Sequence, residues 1–216
     1  MIDESCTICC ELAGMEENNL CYLIFNRKLN RVVKETKNFV VLPTIGQIVE
    51  GYLLIVPKKH FSCIGALSAE LFDELREIKN LCRTALNKAY NSKCIFYEHG
   101  TVGKTFEKRA GCCTDHAHLH AVPVEVDLLS DIQQNYKAKQ IEKLEDLCKK
   151  YETKTPYLFY ENNCGDMYVF DAPLVVSQYF RMLLAKKLGV ENKWDWRNYQ
   201  GKEEILKTIE KLKGKL

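Results

Sequence analysis

The sequence predicts an α+β fold: an antiparallel sheet with one long helix, extended at its C-terminal end by further helices and a β-hairpin. Three features predict it. Short apolar runs of strand length are separated by turn residues, one long segment carries apolar residues at helical spacing, and a stretch around residue 118 alternates histidine with apolar residues.

Residues 39–42 and 51–56 are apolar runs rich in Val, Ile and Leu. Pro43 and Gly46 lie between them and Pro57 closes the second, so they read as two antiparallel strands joined by a loop. Ser68 then precedes Leu71, Leu75, Ile78, Cys82, Ala85 and Ala89 on one stripe, which predicts an amphipathic helix over 69–90 with Ser68 as N-cap. Residues 94–97 form the next strand, and 99–110 a charged loop. Residues 116–122 read as a strand with one polar and one apolar face.

Beyond Pro123 the pattern changes. Residues 127–151 are charged and read as helix, with Leu128, Ile132, Ile141, Leu144 and Leu147 as its apolar positions. Residues 157–160 and 167–170 flank Asn-Asn-Cys-Gly-Asp, a hairpin signal. Two helices follow, over 177–188 and 202–212, the first ended by Gly189. With no repeat or low-complexity linker, 1–125 reads as one domain and 126–216 as an extension packed on it.

Composition narrows the function. The 216 residues are 46% hydrophobic and 28% charged, ordinary for a soluble globular protein. A net charge of +2 gives no reason to expect nucleic acid held by bulk electrostatics. No run of ~18 apolar residues suggests a membrane span. The 11 cysteines are an odd number, too few for a disulfide scaffold, and the acidic N-terminus has no secretory h-region. Reduced thiols and a cytoplasmic location are the expectation, and there Cys6-x-x-Cys9 points to metal or redox chemistry.

Of five histidines, three stand at His116, His118 and His120. On a strand these positions share a face over ~13 Å. A solvated polar strand, a metal site and nucleophilic chemistry are all compatible with that pattern.

The string His-Ala-His-Leu-His-Ala-Val over 116–122 resembles the motif of the histidine triad (HIT) superfamily at every position. Gly-Tyr-Leu-Leu-Ile-Val-Pro-Lys-Lys-His over 51–60 is similar to the family's hairpin strand, and Cys6-x-x-Cys9 to its zinc-bearing branch. The resemblance covers about residues 1–125. It implies nucleotidyl transfer at an α-phosphate, with His118 as nucleophile and His120 donating to phosphate oxygens. It further implies a structural zinc held by Cys6, Cys9, His60 and His116, and, commonly, a homodimer. Where many members carry Gly-Gln-Ser, this chain has Gly111-Cys112-Cys113, leaving Cys113, Thr114 and backbone N–H groups for the phosphates. His99 stands where an uridylyltransferase-like Asn would, within reach of phosphates or leaving group. Thr44 lies near the place of the usual ribose-binding Asp.

Two further groups come from the residues themselves. Lys104, with Lys108 and Arg109, offers counter-charge for a polyphosphate. Gln178 and Arg181, three apart on a helix, can reach the pocket if that helix docks over the triad. The functional expectation is a hydrolase of nucleotide phosphoanhydrides, of dinucleoside polyphosphate or nucleotide-conjugate type. The alternatives are a nucleotidyltransferase or phosphorylase, or a nucleotide-binding adaptor with little turnover.

Overall fold

The computed structural model describes residues 3–216. The N-terminal segment forms two short helices, α1 (Thr7–Leu12) and α2 (Leu20–Phe25). Three strands follow, β1 (Lys34–Glu35), β2 (Phe39–Pro43) and β3 (Leu53–Pro57), and then the long helix α3 (Phe72–Tyr90). Next come β4 (Cys94–Gly100), β5 (Leu119–Pro123), α4 (Leu129–Gln133), β6 (Ala138–Ile141) and α5 (Cys148–Glu152). The hairpin β7 (Tyr157–Glu161) and β8 (Met167–Asp171) precedes α6 (Tyr179–Lys187) and α7 (Lys202–Leu212). The expected α+β class, antiparallel sheet, long helix and C-terminal hairpin are all present.

Eight strands make one sheet in the order β1-β2-β3-β5-β4-β7-β8-β6, and every neighbouring pair is antiparallel. Strands β6–β8, all beyond residue 137, therefore continue the sheet that carries the histidines. Strand alternation divides the core in two. One face buries Phe39, Leu53, Phe96, Leu119 and Phe159 against Leu75, Ile78, Cys82 and Leu86 of α3. Each fully buried Leu or Ile there contributes about 1.5–3 kcal/mol. The other face buries Leu42, Leu54, Tyr97, Val122 and Leu158 against Ile8 of α1 and Phe180 and Leu184 of α6. His118 and His120 share the parity of Val122, so they face α1 and α6.

Four local expectations are corrected. A 3-10 turn, Ala69–Leu71, precedes α3, and Ser68 makes no side-chain capping bond. Strand β4 runs on to Gly100, because β7 pairs along its whole exit, so His99 belongs to a strand and not to a loop. Strand β5 begins only at Leu119, with His118 just before it and His116 at a bend ahead of that. Residues 127–151 are not one helix. Leu128 and Ile132 bury on the α6 face while Ile141, Leu144 and Leu147 bury on the α3 face. One helix cannot serve both faces, so the chain crosses the sheet edge as β6, paired with β8.

Candidate active site and metal centre

The helix α1 opens on Cys6, whose Sγ accepts the Cys9 N–H at 3.4 Å, so both thiols turn to the same side of the N-terminus. His116 Nδ1 lies 3.4 Å from Cys6 Sγ and 3.5 Å from Cys9 Sγ, and His60 Nδ1 lies 3.4 Å from Cys9 Sγ. All four ligand atoms fall within 4.8 Å of one another. A tetrahedral ion with ~2.3 Å bonds to sulfur and ~2.0 Å bonds to nitrogen separates its ligands by about 3.5 Å, so the donor set and spacing fit zinc.

The tautomer fits as well. His116 Nε2 lies 2.8 Å from the Pro57 carbonyl, which can only accept. The proton is therefore on Nε2, and the Nδ1 lone pair faces the thiols. Burial holds His116 neutral, its pKa lowered to about 4, and pushes the Cys6 thiol up to about 11. A bound cation is what would favour the thiolate there.

The three triad imidazoles share a face but divide between two sites. His116 packs edge-to-face on His60 at 5.0 Å, while His118 packs on His120 at 4.8 Å. The second pair lines a cleft that His99, Cys113, Thr114 and Arg181 also line. His118 Nδ1 lies 2.6 Å from the His116 carbonyl, so its proton is on Nδ1 and Nε2 presents a lone pair to the cleft. Burial lowers its pKa, so the imidazole is neutral and nucleophilic.

His120 has the opposite tautomer. Its Nδ1 is 2.7 Å from Tyr52 Oη, and Tyr52 in turn bonds Tyr97 Oη. Tyr97 is fully buried and has no other hydroxyl partner among the described residues. Only if Tyr97 donates to Tyr52, and Tyr52 to His120, does every phenol proton find an acceptor. Burial pushes the Tyr52 hydroxyl up to about 12, so it stays a donor. His120 then carries its proton on Nε2, toward the cleft. Tyr97, stacked on the ring at 4.4 Å, holds that orientation.

Arg181, on α6, is 4% exposed and lines the same cleft. It donates to the carbonyls of Trp194 at 2.7 Å, Gly46 at 2.7 Å and Lys193 at 3.3 Å. Among the described residues no carboxylate lies within ion-pair distance of it, and its guanidinium lies 5.6 Å from the centre of the Tyr52 ring. A buried, unpaired guanidinium beside an open cleft calls for an anionic ligand. The other buried arginine of the cleft, Arg31, is neutralised by Glu11 at 2.5 and 2.8 Å.

The remaining expected residues sort clearly. His99, Cys113 and Thr114 line the cleft. Gln178 also lines it, but it stands before α6 with a left-handed φ of 62° and not on the helix face shared with Arg181. Its amide donates to Asp195 and accepts from the Trp196 N–H, so it anchors the 194–196 strap. Lys104 is exposed and is not part of the cleft lining. Its loop turns outward through the 3-10 turn Phe106–Lys108, and Lys108 and Arg109 bond Lys154 and Asp115. Sequence reasoning missed Tyr52, Tyr97 and the apolar end of the cleft, Leu20, Ile45 and Trp196. No short motif marks them, since it is strand register and the packing of the C-terminal strap that bring them to the histidines.

A family model described as "Protein similar to CwfJ C-terminal" matches residues 4–137, and the chain belongs to that family. Among solved structures it is similar to a HIT family protein from Bacillus anthracis, with 24% identity over 49% of this chain and 72% of that one and a TM-score of 0.40. A histidine triad nucleotide-binding protein from Sulfolobus tokodaii shares 21% identity over 62% and 89%, TM-score 0.39. A zinc-bound histidine triad family protein from Mycobacterium smegmatis shares 16% over 62% and 89%, TM-score 0.38. No curated protein matches the chain. The histidine-triad-like strings at residues 51–60 and 116–122 both lie within the span that the family model matches. Among the described residues no helix is long and apolar enough to cross a membrane.

Proposed function

We propose that this member of the CwfJ C-terminal-like family is a nucleotide phosphoanhydride hydrolase acting through a covalent nucleotidyl-His118 intermediate. Its substrates are of dinucleoside polyphosphate or nucleotide-conjugate type. The observation that carries the reading is the pairing, in one cleft, of a neutral His118 with its Nε2 lone pair free and a buried Arg181 without a carboxylate. A nucleophile and an unfilled anion site together suit attack on phosphorus.

In the forward step His118 Nε2 attacks the α-phosphorus and the bond to the departing phosphate breaks. His120 Nε2–H and the Arg181 guanidinium donate to the non-bridging oxygens as charge develops there. The His116 carbonyl, accepting from His118 Nδ1–H, stabilises the positive charge that nucleophilic attack places on the ring. Cys6, Cys9, His60 and His116 would hold a zinc ion, which supplies a closed structural crosslink between the N-terminus and the triad.

The test is a quench experiment with dinucleoside tetraphosphate labelled at the α-phosphorus. Acid-labile label on the wild-type protein, absent from His118→Ala, together with release of nucleoside monophosphate, is the expected result. Saturable binding without any adduct means a binding module. An adduct resolved by phosphate or a sugar phosphate, and not by water, means a transferase.

A further inference from the structure

We propose that His99 is a second catalytic imidazole, the general base that takes a proton from the water that resolves nucleotidyl-His118. This rests on the covalent route above and assigns its second half.

His99 ends the path of β4 into the cleft and is 6% exposed. Its Nδ1 lies 2.7 Å from the Ala110 carbonyl, which can only accept, so the proton is on Nδ1 and Nε2 carries a lone pair. The same device holds His118, whose Nδ1–H goes to the His116 carbonyl. Two imidazoles, each fixed by a main-chain carbonyl, thus present lone pairs to one cleft.

The carbonyl that fixes His99 is itself held in a strained turn. Ala110 has a φ of 48° without being glycine, and Gly111 follows at 73°. A Cβ on Gly111 would meet the Val176 carbonyl, and the Gly111 carbonyl accepts the Gln178 N–H at 3.1 Å. The turn is therefore clamped between β4 and the C-terminal segment. Phe180 meets the His99 ring edge-to-face at 5.1 Å and 90°. The left-handed Ala110 thus aims one carbonyl at the His99 ring, while Gly111 beside it ties the turn to the C-terminal segment.

The chemistry of that lone pair selects its partner. Non-bridging phosphate oxygens are acceptors, and so is Nε2, so His99 is unsuited to the phosphate contact that its sequence position suggested. Its partner must carry a proton: water or a hydroxyl. Desolvation keeps the ring neutral, with a pKa near 4, so it does not start the cycle as an acid. The first leaving group must then depart without a proton from His99, which suits phosphate or polyphosphate better than an amine or a sugar alkoxide.

In the second step the water oxygen attacks phosphorus as its proton passes to His99 Nε2. The phosphorus–nitrogen bond breaks and its electron pair returns to His118 Nε2. Nucleoside monophosphate leaves, and the His99 imidazolium, whose Nδ1–H remains on Ala110, returns its proton to solvent.

The experiment is rapid quench of wild type, His99→Asn and His99→Gln with α-labelled diadenosine tetraphosphate, in water and with added fluoride. Fluoride attacks without losing a proton. In both variants the adduct should form within a few-fold of the wild-type rate, yet its hydrolysis should slow about 100-fold, so labelled protein accumulates. Fluoride should release the label from the variants as fast as from wild type. The proposal is overturned if adduct hydrolysis is unchanged, if formation and hydrolysis fall by the same factor, or if fluoride release slows as much as water release. Melting temperature and metal content check that the variants are folded, and either substitution suffices. A wild-type protein that forms no adduct would instead overturn the covalent reading itself.

Discussion

His116 and His118 stand two residues apart on one strand approach, yet they work in different environments. His116 is fully buried, gives Nε2–H to Pro57 and turns Nδ1 to Cys6 and Cys9. His118 gives Nδ1–H to the main chain and turns Nε2 to the cleft. The residue type is the same, and the carbonyl that each ring finds decides whether its lone pair faces the two thiols or the cleft. The two ends are also joined: the carbonyl that fixes His118 belongs to His116, the residue whose ring completes the thiol cluster. The proposed metal site and the proposed nucleophile thus share one peptide unit.

The largest effect should come from breaking the scaffold end. Zinc removal by a chelator, or Cys9→Ser, should cost at least ~4 kcal/mol of stability, which is roughly 10 °C in melting temperature for a chain of this size. Adduct formation on His118 should fall with it, because the His116 carbonyl is no longer held. Elemental analysis and calorimetry check this. Metal-free protein with unchanged melting and unchanged adduct formation would mean that the two ends are independent.

A smaller effect is expected at the reaction end. Arg181→Gln removes the unpaired charge and should weaken nucleotide binding roughly 100-fold, about 3 kcal/mol. Arg181→Lys should fall between, since an ammonium keeps the charge but not the fork that reaches the carbonyls of Gly46 and Trp194. Titration calorimetry with a nucleoside polyphosphate measures both. If Arg181→Gln binds as tightly as wild type, the cleft is not the anion site.

Much of this arrangement was legible because local pattern and tertiary fold agree. The stripe from Leu71 to Ala89 needs only helical spacing, and the hairpin over 157–171 only its Asn-Gly-rich turn. The thiol–imidazole cluster combines a spacing rule with a resemblance over residues 51–60 and 116–122. Legibility ended where a residue's role depends on what crosses it from elsewhere. His99 looked like a loop residue because the strand that extends β4, β7, lies some sixty residues downstream. Residues 127–151 looked like one helix because the switch from one sheet face to the other leaves no local mark. Lys104 looked like a phosphate clamp because charge says nothing of direction. Gln178 kept its place at the cleft but lost its amide to Asp195, a partner seventeen residues away.

The subtlest contrast lies on β4, where Glu98 and His99 are adjacent and face opposite sides of the sheet. Glu98 is 1% exposed on the α3 side, accepting from Ile64 N–H at 2.6 Å and Tyr157 Oη at 2.7 Å. Desolvation outweighs those two donors and raises its pKa from 4.5 to about 7. Desolvation also lowers His99 from 6.5 to about 4. The signs of the two linkages are opposite. Glu98 binds its proton more tightly folded than unfolded, so its favourable contribution is complete below pH 4.5 and is lost as pH rises through 7. His99 is disfavoured by protonation in the fold, so its contribution is lost as pH falls from 6.5 toward 4. Glu98→Gln removes only the first. The difference in unfolding free energy between this variant and wild type should therefore shift by about 2 kcal/mol between pH 5 and pH 7, in the variant's favour at the higher pH. Denaturant titrations at both pH values measure that difference whatever the variant's absolute stability. A difference independent of pH would place the Glu98 carboxyl in the ordinary range and remove the electrostatic contrast between the two faces of the strand.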